Sequence, residues 1–236
     1  MYQFHPSSDY RYAMKKGMNG TDVAVLQLNL PSLSVDGEFG AQTEKAVRAF
    51  QRAESLRVDG VAGLVTQRRI ALKRFAVGTA ASKLPTGLIE GVANNESGFA
   101  LACFSHHPSD AGFDIGVLQH SIIPSLVGSQ PQYLFGYDAR RMAQETGEKI
   151  RDRKDAFYGK TGAKTHRRAW ELAVLYHNWP TAATNMALGG GPYKTLDNDA
   201  PQDWIIQASG GRLRTANQWV ASYIERCCCL VTRWTP

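Results

Sequence analysis

The sequence has no long hydrophobic run and few cysteines. The first absence argues against a membrane protein, and the second argues against a cysteine-based metal or redox site. No apolar stretch in the 236 residues approaches the ~20 residues of a membrane-spanning helix, so we expect no stable membrane insertion. Residues 1–6 lack the charged start and apolar core of a secretory signal peptide, so we expect synthesis in the cytoplasm. The four cysteines include no CxxC pair of a zinc or redox site. We interpret the run Cys227 to Cys229 as apolar residues on a buried helix face.

The charge balance is basic, but it lacks the pattern of a nucleic-acid-binding surface. The formal net charge is +6, which favours anionic partners such as nucleic acid, cell-wall polymer or a lipid surface. The Lys and Arg residues occur in small groups that do not alternate with aromatic residues, as they do on nucleic-acid platforms. We therefore expect no nucleic-acid partner. Separately, we expect the chain to be a monomer.

One eight-residue pattern occurs twice near the N-terminus. Residues 36–43, DGEFGAQT, return as residues 59–66, DGVAGLVT, so that Gly37 and Gly60 lie 23 positions apart. Each Asp-Gly pair is typical of a tight turn, and Thr43 and Thr66 are predicted to cap the helix that follows. The pattern predicts three short helices joined by two turns, with the repeated residues shaping the turns rather than touching a ligand.

Residues at helical spacing accompany both turns, and they carry a family resemblance. They are Gly20, Val23, Leu26, Gln27, Ala46, Val47, Phe50 and Gln51. With the turns, they make the segment 16–70 closely similar to the peptidoglycan-binding domain found at one end of many cell-wall lytic enzymes. The resemblance implies that bacterial peptidoglycan is a partner. We place this domain at residues 1–75 with its core at 15–71, and a linker at 76–83 around Gly78.

The remaining residues, 84–236, are predicted to form a second and mostly helical domain, which makes the whole fold mainly α. A short strand pair near residues 110–118 is the only β-structure considered. Trp170 and Trp219 are interpreted as core residues, whereas Trp179 and Trp204 are left open to stacking on sugar rings.

The segment 88–99 centres on one carboxylate. Apolar residues from Leu88 to Phe99 fall on one arc of a helix, and Glu96 points to the middle of that arc. A poorly hydrated carboxyl group tends to keep its proton, which a general acid needs. A core-edge glutamate satisfied by backbone donors is the alternative interpretation.

Three short motifs of this second region resemble the lytic transglycosylases with a goose-lysozyme-like fold. They are Asn95-Glu96-Ser97-Gly98-Phe99, Gly116-Val117-Leu118-Gln119 and Tyr176-His177-Asn178. The resemblance implies that Glu96 is the catalytic acid and base and that Tyr176 assists it. It implies that Ser97, Gln119 and Asn178 bind substrate. We expect cleavage of the glycosidic bond between N-acetylmuramic acid and N-acetylglucosamine, with a 1,6-anhydro product. The two resemblances together indicate a modular phage endolysin that waits in the host cytoplasm until the membrane opens.

Three alternatives stay open at this point. A muramidase would use a second carboxylate, for which Asp114 and Asp110 are candidates. A zinc peptidoglycan peptidase would use Ser105, His107 and Asp114, which match a Ser-x-His-x6-Asp signature. That signature supplies two of the three protein ligands of a catalytic zinc, so we expect neither a metal nor a cofactor. An inert wall-binding protein is the third alternative.

Overall fold

The computed structural model describes residues 13–106, 113–122, 137–194 and 196–236. The described residues are mainly helical, which confirms the predicted fold class. The helices are α1 (Thr21–Asn29), α2 (Ala41–Ala53), α3 (Leu64–Gly78), α4 (Leu88–Glu96), α5 (Ala139–Phe157), α6 (His166–Asn178), α7 (Pro180–Ala187), α8 (Asp203–Ala208) and α9 (Ala216–Cys228). Strands β1 (Phe104–His106), β2 (Phe113–Ile115) and β3 (His120–Ile122) form an antiparallel sheet in that order. None of the described helices is long and apolar enough to cross a membrane.

The chain divides into two compact units, and neither is continuous in sequence. The first comprises residues 1–80 and 96–144, and the second comprises residues 81–95 and 145–236. The predicted division instead placed one boundary at residues 76–83. The two differ because residues 96–144 group with the N-terminal helices, through contacts that sequence spacing does not reveal.

Buried polar contacts join the N-terminal helices to the start of α5. Asn29 Nδ2 donates to the carbonyl of Tyr137 at 2.9 Å, and the amide of Ala139 donates to Asn29 Oδ1 at 2.9 Å. The Arg74 guanidinium donates to Asp138 Oδ1 at 2.9 Å, and the same oxygen accepts an amide of the first turn of α5. Both α1 and α3 are thereby attached to α5 within the first unit.

The predicted linker begins inside a helix. α3 continues to Gly78, which is buried, and a Cβ there would stand 2.2 Å from the carbonyl oxygen of Arg140 in α5. One turn earlier, the ring of Phe75 lies 6.4 Å from the ring of Phe99. Gly78 therefore allows two helices to pack closely, in place of the flexible linker role predicted for it.

The second unit is built on buried helix faces. Trp170 in α6 is 1% exposed, and its Nε1 donates to the carbonyl of Thr235 at 2.8 Å, which confirms its predicted core position. In α4, a Cβ on Gly91 would stand 1.8 Å from the carbonyl oxygen of Cys227 in α9. The absence of a side chain at Gly91 thus permits contact between the two backbones.

The three consecutive cysteines differ in exposure. Cys227 is buried, as predicted for the helix face, whereas Cys229 is exposed. Burial, with the nearby Glu171 carboxylate, raises the pKa of the Cys228 thiol to about 12. Because a thiol with that pKa stays protonated at neutral pH, Cys228 acts as a packing residue rather than as a nucleophile.

Candidate functional site

One buried glutamine organises the first repeated turn. Gln27 is 1% exposed in α1. Its Nε2 donates to the side chains of Asp36 at 2.7 Å and Thr43 at 3.0 Å, and to the carbonyl of Glu38 at 3.0 Å. Its Oε1 accepts the amide of Gly37 at 2.8 Å. A single side chain thus connects α1, the turn and the first turn of α2.

The second turn repeats this arrangement. Gln51 Nε2 in α2 donates to the side chains of Asp59 at 2.9 Å and Thr66 at 3.2 Å, and to the carbonyl of Val61 at 3.0 Å. Its Oε1 accepts the amide of Gly60 at 2.9 Å. We call Gln27 and Gln51 the clamp glutamines. The duplication seen in the sequence is therefore a duplication of contacts.

The two threonines serve the clamp glutamines and do not cap helices. The N-cap residues are Gly40 for α2 and Gly63 for α3, so the prediction that Thr43 and Thr66 occupy these positions is wrong. Both hydroxyls lie inside the helices, where they accept from the glutamine amides. The tertiary contact outweighs the local preference of threonine for a helix start.

The turn aspartates are held in their charged form. Backbone amides two residues ahead, followed by the clamp glutamine amides, hold the pKa of Asp36 and of Asp59 below its usual value. Each carboxylate accepts hydrogen bonds within its own turn. The repeated residues therefore shape the turns, as the sequence predicted.

Glu96 lies at the end of α4, where the chain changes direction. The backbone φ angles are +60° at Gly98 and +67° at Phe99, so the helix cannot continue. Glu96 itself is half-buried. Glu96 is consequently more exposed than its place on the apolar arc of the sequence prediction implied.

A side-chain hydrogen bond joins the end of α4 to the turn 116–119. Ser97 is buried, and its Oγ donates to the carbonyl of Val117 at 2.8 Å and accepts the amide of Phe99 at 3.1 Å. In the turn, Gln119 has a φ of +50° and donates from Nε2 to the carbonyl of Gly116 at 2.9 Å. The structure therefore brings together the first two predicted motifs, and Ser97 is the residue that connects them.

Asp114 lies on the central strand of the small sheet. It is half-buried and pairs in register with Ser105 of β1 and Ser121 of β3. Within the described part of the chain, no group of three or more His, Cys, Asp or Glu side chains could hold a metal ion. His107 and Asp110 lie outside the described residues.

Tyr176 and Asn178 belong to the second unit, whereas Glu96, Ser97 and Gln119 belong to the first. Tyr176 is half-buried, and the guanidinium carbon of Arg153 lies 4.2 Å from the centre of its ring. Asn178 is the last residue of α6 and is exposed.

The clamp glutamines are the residues whose role the sequence reasoning missed. From the sequence, Gln27 and Gln51 are named only among the residues that carry the family resemblance, and no contact in the fold is predicted for them. Each precedes the aspartate of its turn by a nearly constant distance, nine positions for Gln27 and eight for Gln51. That recurrence is the signal by which the sequence could have assigned them to the turns.

Comparison with known proteins supports the wall-binding part. Residues 19–70 match a family described as putative peptidoglycan binding domain. The chain is 29% identical over 127 residues to a probable N-acetylmuramoyl-L-alanine amidase of Bacillus licheniformis, which covers 47% of this chain and 36% of the relative. It is 34% identical over 65 residues to the N-acetylmuramoyl-L-alanine amidase CwlL of the same organism, which covers 25% of this chain and 18% of the relative. The match thus spans little more than a third of the first relative's length and less than a fifth of the second's.

The expected reaction is corrected by these relatives. Both are named for the bond between an N-acetylmuramoyl group and L-alanine, so the prediction of a glycosidic bond cleaved by a transglycosylase or muramidase is wrong. The motifs behind that prediction describe a helix end and a tight turn, which are local backbone shapes that different reactions can use. The predicted resemblance of the N-terminal segment to peptidoglycan-binding domains is supported, since residues 19–70 match that family.

Proposed function

We propose that the chain is a cell-wall lytic enzyme that binds peptidoglycan and hydrolyses the amide bond between N-acetylmuramic acid and the L-alanine of the stem peptide. The match of residues 19–70 to the peptidoglycan-binding family carries the binding part. The names of the two relatives support the choice of bond. The net charge of +6 favours attraction to an anionic wall polymer.

Binding and cleavage reinforce each other in such a protein. A domain that holds the insoluble polymer raises the effective concentration of the scissile bond near the rest of the chain. The clamp glutamines keep both repeated turns in one conformation, so little conformational entropy is lost when the domain binds.

Amide hydrolysis needs a water molecule that is activated by a base, and a donor that stabilises the developing charge on the carbonyl oxygen. We assign the base to Glu96, which is half-buried and ends α4 beside the turn 116–119. The proton that Glu96 takes from the attacking water passes to the leaving nitrogen of L-alanine as the C–N bond breaks. Gln119, fixed in that turn through Gly116, is the candidate donor, because a side-chain amide donates hydrogen bonds to oxygen. Ser97 positions the two by connecting the helix end to the turn.

The chemical identity of the products tests this proposal. Purified sacculi digested with the full chain should release stem peptides that carry a free N-terminal L-alanine, detected by labelling of amino groups and by mass spectrometry. The number of sugar reducing ends should stay at its starting value. New reducing or 1,6-anhydro ends without new alanine amino groups would refute the amide assignment. Soluble products of neither kind would refute a lytic enzyme.

A further inference from the structure

Four aromatic side chains of the second unit converge from four separate segments of the chain. Trp179 lies between α6 and α7, Tyr193 follows α7, Trp204 lies in α8 and Trp219 lies in α9. We call these four residues the aromatic platform. The sequence interpretation placed Trp219 in the core, but it is only half-buried and forms part of the platform.

Trp179 is the centre of the platform. Its ring centroid lies 5.1 Å from that of Tyr193, 5.6 Å from that of Trp204 and 5.6 Å from that of Trp219, each in an edge-to-face arrangement. Trp219 in turn stacks on Tyr223 at 5.2 Å, and Tyr223 is 1% exposed. Edge-to-face and offset-stacked rings are favourable geometries, so the platform is a fixed extension of the core.

Trp204 combines high exposure with a fixed orientation. The residue is 43% exposed, although tryptophan is among the side chains that gain most from burial. Its Nε1 donates to the hydroxyl of Tyr193 at 2.8 Å. A large apolar ring is thus held in one orientation in contact with solvent, which is typical of a preorganised binding surface.

An exposed polar side chain accompanies the exposed ring. Gln207 follows Trp204 one turn later in α8, on the same face of the helix, and it is exposed. An amide beside an aromatic surface supplies one of the few polar contacts that orient a ligand.

We propose that the aromatic platform binds saccharide, and that its ligand is the glycan strand of peptidoglycan. A pyranose ring presents one apolar face of C–H bonds, which fits an aromatic surface, and an edge of hydroxyl and acetamido groups, which fits the exposed amide of Gln207. The stem peptide has no rigid apolar face of that size. The identity of the polymer rests on the proposed function, since the platform lies outside the segment that matches the peptidoglycan-binding family.

A soluble glycan without a stem peptide tests the platform separately from catalysis. Tetra-N-acetylchitotetraose is titrated into the full chain while the indole N–H resonances are followed by NMR. The Trp204 resonance, assigned through Trp204→Phe, should shift with saturation in the millimolar range or below, and Trp204→Ala should weaken binding at least tenfold. Trp204→Phe keeps an aromatic ring and should retain most of the affinity.

Tyr158→Ala is the matched control, because Tyr158 is 44% exposed in the same unit but lies outside the platform. It should bind the tetrasaccharide like the unmodified chain. Unchanged indole resonances at about 10 mM tetrasaccharide, where even millimolar binding would saturate, overturn the proposal. A soluble stem peptide that shifts the Trp204 resonance when the glycan does not would also overturn it. Because this assay needs no turnover, its outcome does not depend on amide hydrolysis. If Trp204→Ala does not fold, the shift of the Trp204 resonance in the unmodified chain decides the proposal.

Discussion

At the scale of single residues, the candidate chemistry depends on one half-buried carboxylate at a helix end. Glu96 is fixed by its position in α4, and the bond from Ser97 to Val117 holds the neighbouring turn against that helix end. A base in this position is partly exposed to solvent and is held at the end of a helix, so it can be positioned against an attacking water.

Glu96→Gln should lower the release of free N-terminal alanine from sacculi by about 10²–10⁴-fold, because the amide keeps the shape but cannot accept a proton. The thermal unfolding midpoint should change little, since the side chain is partly solvated. Glu90→Gln is the matched control, being half-buried in the same helix, and it should retain nearly full activity. Equal activity of both variants would remove Glu96 from the mechanism.

The side chain of Gln27 holds the first repeated turn in place by itself. It is 1% exposed and bonds to both sides of a turn, so an apolar replacement leaves buried groups unpaired. Gln27→Leu should lower the free energy of unfolding by about 1–3 kcal/mol, the usual cost of a buried unsatisfied group. Chemical denaturation followed by circular dichroism measures this loss.

The exposed Gln42 in α2 provides the control for that substitution. Gln42→Leu should change the free energy of unfolding by no more than about 0.5 kcal/mol, as exposed substitutions usually do. If the two leucine variants unfold at the same denaturant concentration, the clamp glutamines do not stabilise the turns.

At the scale of secondary structure elements, the contact between α3 and α5 decides how the first unit is built. Gly78 gives α5 access to the α3 backbone, and Arg74 of α3 forms an ion pair with Asp138, just before α5. Phe75 of α3 contacts Phe99, after the end of α4. A residue that looks like a linker in the sequence is therefore part of a helix interface.

Gly78→Ala should destabilise the protein by about 1–3 kcal/mol, because the new methyl group would stand 2.2 Å from the Arg140 carbonyl oxygen. In an open helix the same change would stabilise by about 0.5–1 kcal/mol, so the sign of the effect is diagnostic. Val77→Ala, at a neighbouring residue that is 58% exposed, should be nearly neutral. A rise in thermal stability for Gly78→Ala would show that the two helices do not pack as described.

At the scale of the whole molecule, the wall-binding helices are part of a larger unit. Residues 1–80 and 96–144 form one compact unit, in which Asn29, Arg74 and Phe75 contact residues beyond position 95. Removal of the N-terminal segment therefore removes packing partners as well as a binding domain.

A variant that lacks residues 1–80 should lose the native structure around Phe99 and around residues 137–140, because their contacts with α1 and α3 are gone. We expect a loss of dispersed amide resonances and a broad unfolding transition, measured by NMR and by thermal circular dichroism. A cooperative transition with native-like dispersion would instead support the boundary predicted at residues 76–83.

The sequence predicted local features well and the reaction poorly. The Asp-Gly turns and the helix that begins near Leu88 depend on residues close together in the chain, and each was predicted from its own pattern, although α4 ends at Glu96 and not at Phe99. The bond that is cleaved depends on groups assembled from distant segments, and short motifs such as Glu96-Ser97 do not specify it.

By itself, the sequence determined the helical class, the duplicated turns and the similarity of residues 19–70 to peptidoglycan-binding domains, because periodicity and turn chemistry act over a few residues. Only the tertiary structure decided the composition of the two units and the aromatic platform. Asn29 and Tyr137 are 108 positions apart, and the platform draws on four segments between Trp179 and Trp219. Such contacts follow from how whole helices bury their faces against each other, and no local pattern encodes them.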